Sequence, residues 1–559
     1  MTQLLSIFRR VEFDGDIHVR LQTHEDRDIS STEFTLFVDD VACATLFEQG
    51  LRSAASFSGV NASDNSQCHV EARIVFKDGS TQVQRSQTIR VFSTVLPDNW
   101  SAKTAEPRKA DGKYFTTKEN FRACDGAAGY YIEILFEKEG AGRFLTEKAV
   151  PRYLKQSARL ALVKTYSDDE VRKHNLGSFA GLYRLKGEIP VEAMIDVAEE
   201  IGRLDYVKYS IVAPDLSNYP PPRRPDARNA LAGALAAPVP PETDSGTPVF
   251  DELQTYLDET FPGMNVRNAW PRASGLYSTI RWLDFGVYRG HEDFWGGVRV
   301  VNSRPETENC HHGTASVGTI KCVNTAGGMT GISRFSHFYF YDTGDLDLIV
   351  RDANAGDVIG LDIQFSVDGR FLPMTISYDW WSKIRFLAQE KGATVCLAAG
   401  NGGYSLDELV EQGIIEDHGA SGGYLVGACS SDKGDRLGFS NYGSGTLFNS
   451  WGEDVATTGY GDLFYPDNDN NRSYTRFYSG TSSATPLCVG ALALMQGYGA
   501  YRYGVDLTRY IPGIVLATGD SRGFVQGIGF RPLLVQALDH IDEVLGCLLY
   551  TSPSPRDKR

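Results

Sequence analysis

From about residue 249 onward the chain repeats one pattern: a short apolar run, a glycine-containing turn, then a helix-compatible stretch. The runs "STIRWLD", "GDVIGLDI", "ATVCLAAGN" and "GGYLVGA" are nearly continuous in apolar residues rather than alternating. Strands buried on both faces read this way, and strands that alternate with helices close into a parallel sheet covered on both sides. Between two of the runs lies "SYDWWSKIRFLAQEKG", where Trp380, Trp381, Ile384, Leu387 and Ala388 share a helix face and Gly392 ends it. A parallel sheet also says where to look for chemistry, which gathers at the carboxyl ends of the strands.

The rest of the chain follows other rules. Residues 1–95 alternate apolar and polar positions in short runs such as "FTLFVDD" and "CHVEARIVF", with turn signals between them. This predicts a small all-β sandwich of the immunoglobulin or fibronectin kind. Residues 96–115 read as a polar linker. Residues 116–217 mix strands ("YYIEILFE", "DYVKYSIVAPD") with a helix in "PVEAMIDVAEEIGRL", where Val191, Met194, Ile195, Val197 and Ile201 fall at helical spacing, so an α+β unit is expected. Residues 218–248, rich in Pro and Ala and without periodicity, read as an extended linker open to proteolytic nicking. The catalytic candidate is then 249–546. The final "CLLYTSPSPRD" looks like a translated sequencing adapter, so 547–559 is set aside as an artefact.

Composition narrows the partners. A net charge of −16 gives no general attraction to nucleic acid or anionic membrane. No apolar run reaches the ~18 residues of a membrane span. The opening "MTQLLSIFRRVEFDGD" has no signal-like apolar stretch, so the chain is expected to stay inside, to leave by another route, or to lack its true start. The nine cysteines form no metal-ligand spacing, and several sit in apolar runs as free buried thiols. A Cys43–Cys68 disulfide remains open at this point.

Four strand-end stretches carry the candidate chemistry. They are Asp284 in "WLDFGVYRGHEDF", His312 in "CHHGTASVG", Asn401 in "AAGNGG", and the serines of "SGTSSATP". Each alone is an ordinary turn or cap. In this order they resemble the subtilases, the subtilisin-like serine peptidases, over about 249–546. "HGTASVG" resembles the family's His-Gly-Thr motif and "GTSSATP" its Gly-Thr-Ser-x-Ala-x-Pro motif. "FSNYGS" and "WGEDVATTGYG" resemble the segments that precede the nucleophile.

The resemblance implies a subtilisin-like α/β fold and a serine-type endopeptidase working through an acyl-enzyme. Asp284, His312 and Ser482 would be the catalytic residues and Asn401 the oxyanion-hole donor. The chemistry agrees. A serine hydroxyl needs a base in reach, the base needs a carboxylate to hold its tautomer, and Asp…His…Ser is the subtilisin chain order. By motif matching Ser482 is the nucleophile and Ser483 a neighbour, His312 rather than His311 is the base, and Pro486 falls in the first helical turn.

The resemblance further places substrate at Asp362, Ile363 and Gln364 and at Ala399 and Gly400. It departs from the family there, because Asp362 and Gln364 replace small residues. Asp362 could favour basic substrates. The position of 116–217 resembles a propeptide that assists folding and acts as an intramolecular inhibitor until the chain cuts itself within about 215–248. No cofactor is required. Calcium is possible in the oxygen-rich "YPDNDNNRSY", which otherwise reads as a solvated turn. The family is compatible with an extracellular protein, and a cytoplasmic one stays open. Two alternatives were weighed. An acid-acting sedolisin would carry Glu and Asp where His312 and Asn401 stand. A binding or surface-interaction protein built on an inactive subtilase fold would be expected to have lost one of the four groups, and all four are present.

Overall fold

The computed structural model describes residues 4–10, 16–22, 29–50, 54–62, 66–91, 112–146, 161–187, 189–222, 246–295, 297–323 and 327–551; of 547–551 only the backbone is described. The greater part of the 218–248 and 96–115 linkers lies outside these residues.

Seven parallel strands form the central sheet of a subtilisin-like fold. In chain order they are Thr279–Asp284, Arg299–Val300, His337–Asp342, Asp357–Leu361, Thr394–Ala398, Tyr424–Cys429 and Thr446–Trp451. In space the second and third strands precede the first, and the fourth to seventh follow it. The first, fourth and fifth strands are buried at every position, as continuous apolar runs require. Large and small residues are matched across the sheet. Trp282 pairs with Gly360, and a Cβ on Gly360 would come 2.1 Å from the indole. The helix Thr481–Tyr503 runs through the core, with nearly every residue buried.

The Gly129–Asp215 region is an antiparallel sheet in the order Ala161–Lys164, Leu182–Lys186, Gly129–Phe136, Val207–Asp215, with short Tyr114–Phe115 beside the last strand. Helices Gly140–Thr146 and Val191–Gly202 lie in the crossovers, giving β-α-β-β-α-β connectivity. Met194, Ile195, Val197 and Ile201 pack on one face of this sheet. The other face joins an apolar cluster with the catalytic unit: Tyr209, Ile211, Leu216 and Tyr219 meet Phe285, Leu346, Ile349 and Phe386. Inside that interface Lys383 Nζ lies 2.8 Å from Glu133 Oε2 and 3.0 Å from Asp347 Oδ1, and Arg184 also pairs with Asp347.

The N-terminal residues form two β-sheets over one apolar core. One holds Leu4–Arg10, Ile17–Gln22 and Ala54–Phe57. The other holds Val41–Gln49, Ile29–Val38, Gln67–Phe76 and Thr81–Arg85, with Ile89–Arg90 alongside. The first sheet does not end at its own edge, because Arg9 and Arg10 pair in parallel with Val505 and Asp506, just past the long helix. Arg20 reaches Asp357 at 2.7 Å, and Arg281 binds the other oxygen of the same carboxylate at 2.7 Å. Both the sandwich and the α+β unit are thus packed against the catalytic unit. The eight cysteines with described side chains are free, with Cys43 exposed and Cys68 buried, so the two are not joined.

Candidate active site

Asp284 ends the first strand of the sheet and is fully buried. Its Oδ1 accepts the Phe285 N–H and the His312 Nδ1–H, both at 2.6 Å, and its Oδ2 accepts the Trp282 indole N–H at 2.9 Å. A carboxylate only accepts, so the His312 proton sits on Nδ1 and the Nε2 lone pair faces away. His312 is the second residue of the helix His311–Lys321. Its ring stands edge-on between Phe285, at 4.9 Å and 78°, and Tyr478, at 5.6 Å and 87°. Nε2 is buried and has no hydrogen-bond partner among the described residues. The imidazole is therefore held on one side and free on the side a general base uses.

Ser482 is the second residue of the long helix, entered through Gly480 at φ +102°. That left-handed value favours glycine, and a Cβ there would come 3.3 Å from the Asn401 amide. Asn401 follows the Thr394–Ala398 strand. Its Oδ1 accepts the Thr481 N–H at 2.8 Å and the Thr481 hydroxyl at 3.1 Å, which fixes the flip of the amide. Its Nδ2 is left without a partner among the described residues. The Ser483 N–H bonds Gly480 O, so between two committed amides the Ser482 N–H stays uncommitted. Ser483 faces the core, with its hydroxyl donating to Trp451 O at 2.9 Å and Gly480 O at 3.0 Å. His311 accepts the Tyr460 N–H at 3.0 Å, away from Asp284.

Pro486 lies in the second turn of the helix, not the first as the motif alone suggested. Proline cannot donate to the carbonyl four residues back. That carbonyl belongs to Ser482, and the Tyr478 hydroxyl supplies the missing donor at 2.9 Å. The same hydroxyl is 2.7 Å from Ser316 Oγ, which donates to Asp362 Oδ2 at 2.9 Å. A polar chain thus joins the Ser482 peptide group to the strand beside Asp284.

The residues expected to line the substrate site divide. Asp362 is fully buried between Ser316, Tyr478 and Asp284. Its expected role of meeting a basic substrate is corrected: no face of the carboxyl reaches solvent, and burial followed by the charge of Asp284 pushes it well above the ordinary carboxyl range. Ile363 turns into the core shared with the α+β unit. Gln364 bridges two strand ends, its Oε1 accepting the Asn401 N–H at 2.9 Å. Ala399 O and Gly400 O are taken by Asn441, at 2.8 Å from Nδ2 and 3.0 Å from N. Asn441 Oδ1 also accepts the Gly402 and Tyr404 amides at 3.2 and 2.9 Å.

Sequence reasoning gave no role to Asn441, Tyr478 or Ser316. The only signal for Asn441 was its place in "FSNYGS". In the "YPDNDNNRSY" loop Asp469 Oδ1 caps Asn471 N at 2.9 Å. Among the described residues the one group of three acid, His or Cys side chains close enough to share a metal is Asp284, His312 and Asp362, within 4.8 Å of one another. Within it Asp284 is already bonded to His312, and Asp362 to Ser316.

The described tail of the α+β unit ends near this site. Leu216 O accepts the Thr343 hydroxyl at 2.7 Å, and Tyr219 O accepts from Arg304 at 3.0 Å. The Tyr219 ring lies on Phe285 at 6.2 Å, one ring removed from His312.

Residues 283–504 match the model of the subtilase family of peptidases. No curated protein matches the chain. Similar solved structures include a protease from Pseudoalteromonas arctica, 21% identical over 52% of this chain and 97% of that one, with a TM-score of 0.40. The epidermin leader peptide processing serine protease of Staphylococcus aureus is 15% identical over 74% and 99%, with a TM-score of 0.48. Fervidolysin from Fervidobacterium pennivorans, a keratinolytic enzyme related to subtilisin, is 16% identical over 78% and 65%, with a TM-score of 0.47. The matched segment, residues 283–504, holds Asp284, His312, Asn401 and Ser482 together, and over that segment the chain is similar to the subtilase family.

Proposed function

We propose that the chain is a serine endopeptidase whose triad is Asp284, His312 and Ser482. The observation that carries this is the buried 2.6 Å bond from His312 Nδ1 to Asp284, with Nε2 left free. His312 Nε2 takes the proton as Ser482 Oγ attacks the peptide carbonyl, and later gives it to the leaving amine. Asp284 holds the tautomer and stabilises the imidazolium. The negative oxygen of the tetrahedral intermediate is met by Asn401 Nδ2 and the Ser482 N–H. Both donors are uncommitted in the resting site, so neither has to break a bond to serve. Expulsion of the amine leaves an acyl-enzyme on Ser482, which water hydrolyses with His312 again as base.

The α+β unit, 116–217, is the intramolecular inhibitor of this site. Support comes from the shared apolar cluster, the buried Lys383–Glu133 pair, and the tail that brings Tyr219 onto Phe285. Self-cleavage is expected within about 215–248.

The test is labelling by a fluorophosphonate probe, with intact mass measured in parallel. The wild type is expected to be cut in the linker and labelled, and Ser482→Ala to stay full length and unlabelled. Labelling that persists in Ser482→Ala, or none in linker-cleaved wild type, refutes the triad. Equal cleavage of purified Ser482→Ala refutes self-processing alone.

A further inference from the structure

Asp362 belongs to none of the catalytic steps above, yet the sheet places it beside the triad. Leu283 pairs with Leu361 on the neighbouring parallel strand, so Asp284 and Asp362 are the next residues in register. The Asp362 N–H donates to Leu283 O at 3.0 Å, and its carboxyl lies within 4.8 Å of the Asp284 carboxylate. The groups that face it are Asp284 from the first strand, His312 and Ser316 from the His311–Lys321 helix, and Tyr478, with the Tyr460 ring tilted against Tyr478 at 6.1 Å. Among the described residues no lysine or arginine pairs with either carboxyl, and His312 is the sole ion-pair partner of Asp284.

The oxygens of Asp362 are unequally served. Oδ2 accepts from Ser316 at 2.9 Å and lies 3.4 Å from the Tyr478 hydroxyl. Oδ1 is buried with no donor among the described residues. Ionised, Asp362 would hold a bare oxygen in a dry site next to a second carboxylate, and each condition is costly. A proton on Asp362 removes both problems, because it turns the unserved oxygen into a donor toward Asp284. Desolvation and the Asp284 charge act in the same direction.

We propose that Asp362 is a positioning residue of the triad, a neutral carboxyl that hydrogen-bonds Asp284 and spreads the negative charge Asp284 presents to His312. The inference rests on the triad reading above. Asp284 remains the anion, and Asp362 neither touches substrate nor transfers a proton to it. Through Ser316 and Tyr478, Asp362 is also linked to the Ser482 carbonyl, so one network orients base and nucleophile together.

The readout is the pH dependence of fluorophosphonate inactivation of the linker-cleaved protein. Asp362→Asn keeps a donor of the same shape, and it should react within about threefold of wild type with its acid limb in place. Asp362→Ala removes the donor and should move the acid limb to higher pH by about 0.5–1 unit. An acid limb lowered by about a unit in Asp362→Asn would mean that the carboxyl had been ionised, and would overturn the proposal. So would an Asp362→Ala profile that does not move while only the melting temperature falls, since packing alone would then explain the residue.

A second measurement needs no activity. In the Ser482→Ala background at pH 8, the infrared spectrum should show a protonated-carboxyl C=O stretch that Asp362→Asn abolishes. No difference in that band overturns the proposal. Failure of wild type to label at all would refute the peptidase reading and leave the infrared result standing.

Discussion

Replacing Lys383 with Met tests the contact between the α+β unit and the catalytic unit. Lys383 is 2% exposed, and its ammonium sits between Glu133, 0% exposed, and Asp347. In wild type burial acts to lower the lysine pKa, but the Asp347 and Glu133 carboxylates outweigh it and push the pKa upward. Met fills the same volume but leaves Glu133 and Asp347 facing each other with only Arg184 to share. Removing one partner of a buried, hydrogen-bonded charge pair costs about 2–5 kcal/mol. At 1.4 kcal/mol per decade this weakens docking of the α+β unit by roughly 30- to 4,000-fold. The assay is the rate of fluorophosphonate labelling of linker-cleaved protein, which on the proposed inhibitor role tracks how often the α+β unit leaves the site. Labelling of Lys383→Met should accelerate toward that range, and Glu133→Gln should accelerate it too. The double variant should fall short of the sum, because the two residues act as one pair. Labelling within twofold of wild type in both single variants, or strict additivity, would refute the reasoning.

Three further outcomes are expected. Asn401→Leu should lower kcat by about 10²–10³ with little change in KM, the loss found for the equivalent donor of a subtilisin; a loss confined to KM would place Asn401 in substrate binding instead. His291 is buried, donating to Ser473 O at 3.0 Å, and burial pushes its pKa down to about 4. Its stabilising contribution is complete above about pH 6.5 and is lost as pH falls through about 4, so His291→Gln should flatten the fall in melting temperature across that window. After linker cleavage the N-terminal fragment should co-elute with the catalytic part in size exclusion. It holds two contacts, the α+β interface and the Arg9–Val505 and Arg20–Asp357 docking of the sandwich, and both must open for release. Arg20→Ala should favour release.

The legible parts of this protein were the local ones. Continuous apolar runs announced the parallel sheet, and motif spacing singled out Asp284, His312, Asn401 and Ser482. In each case the information lies within a few consecutive residues. Illegible were the groups whose meaning depends on a distant neighbour. Asp362 looked like a pocket residue because nothing near it in the chain reveals that its strand lies beside that of Asp284. Pro486 looked like a first-turn residue because the start of the helix is set by Asn401 and Gly480 around Thr481. Tyr478 carried no motif of its own, although it supplies the donor that Pro486 takes away.

By itself, then, the sequence determined the fold class and nominated Asp284, His312, Asn401 and Ser482, since hydrophobic periodicity and short motifs are properties of neighbouring residues. The tertiary structure alone decided which nitrogen of His312 carries the proton, which serine faces the core, and which carboxyl stands next to Asp284. Those answers depend on register between strands and on burial, and both exist only once segments far apart in the chain have packed together.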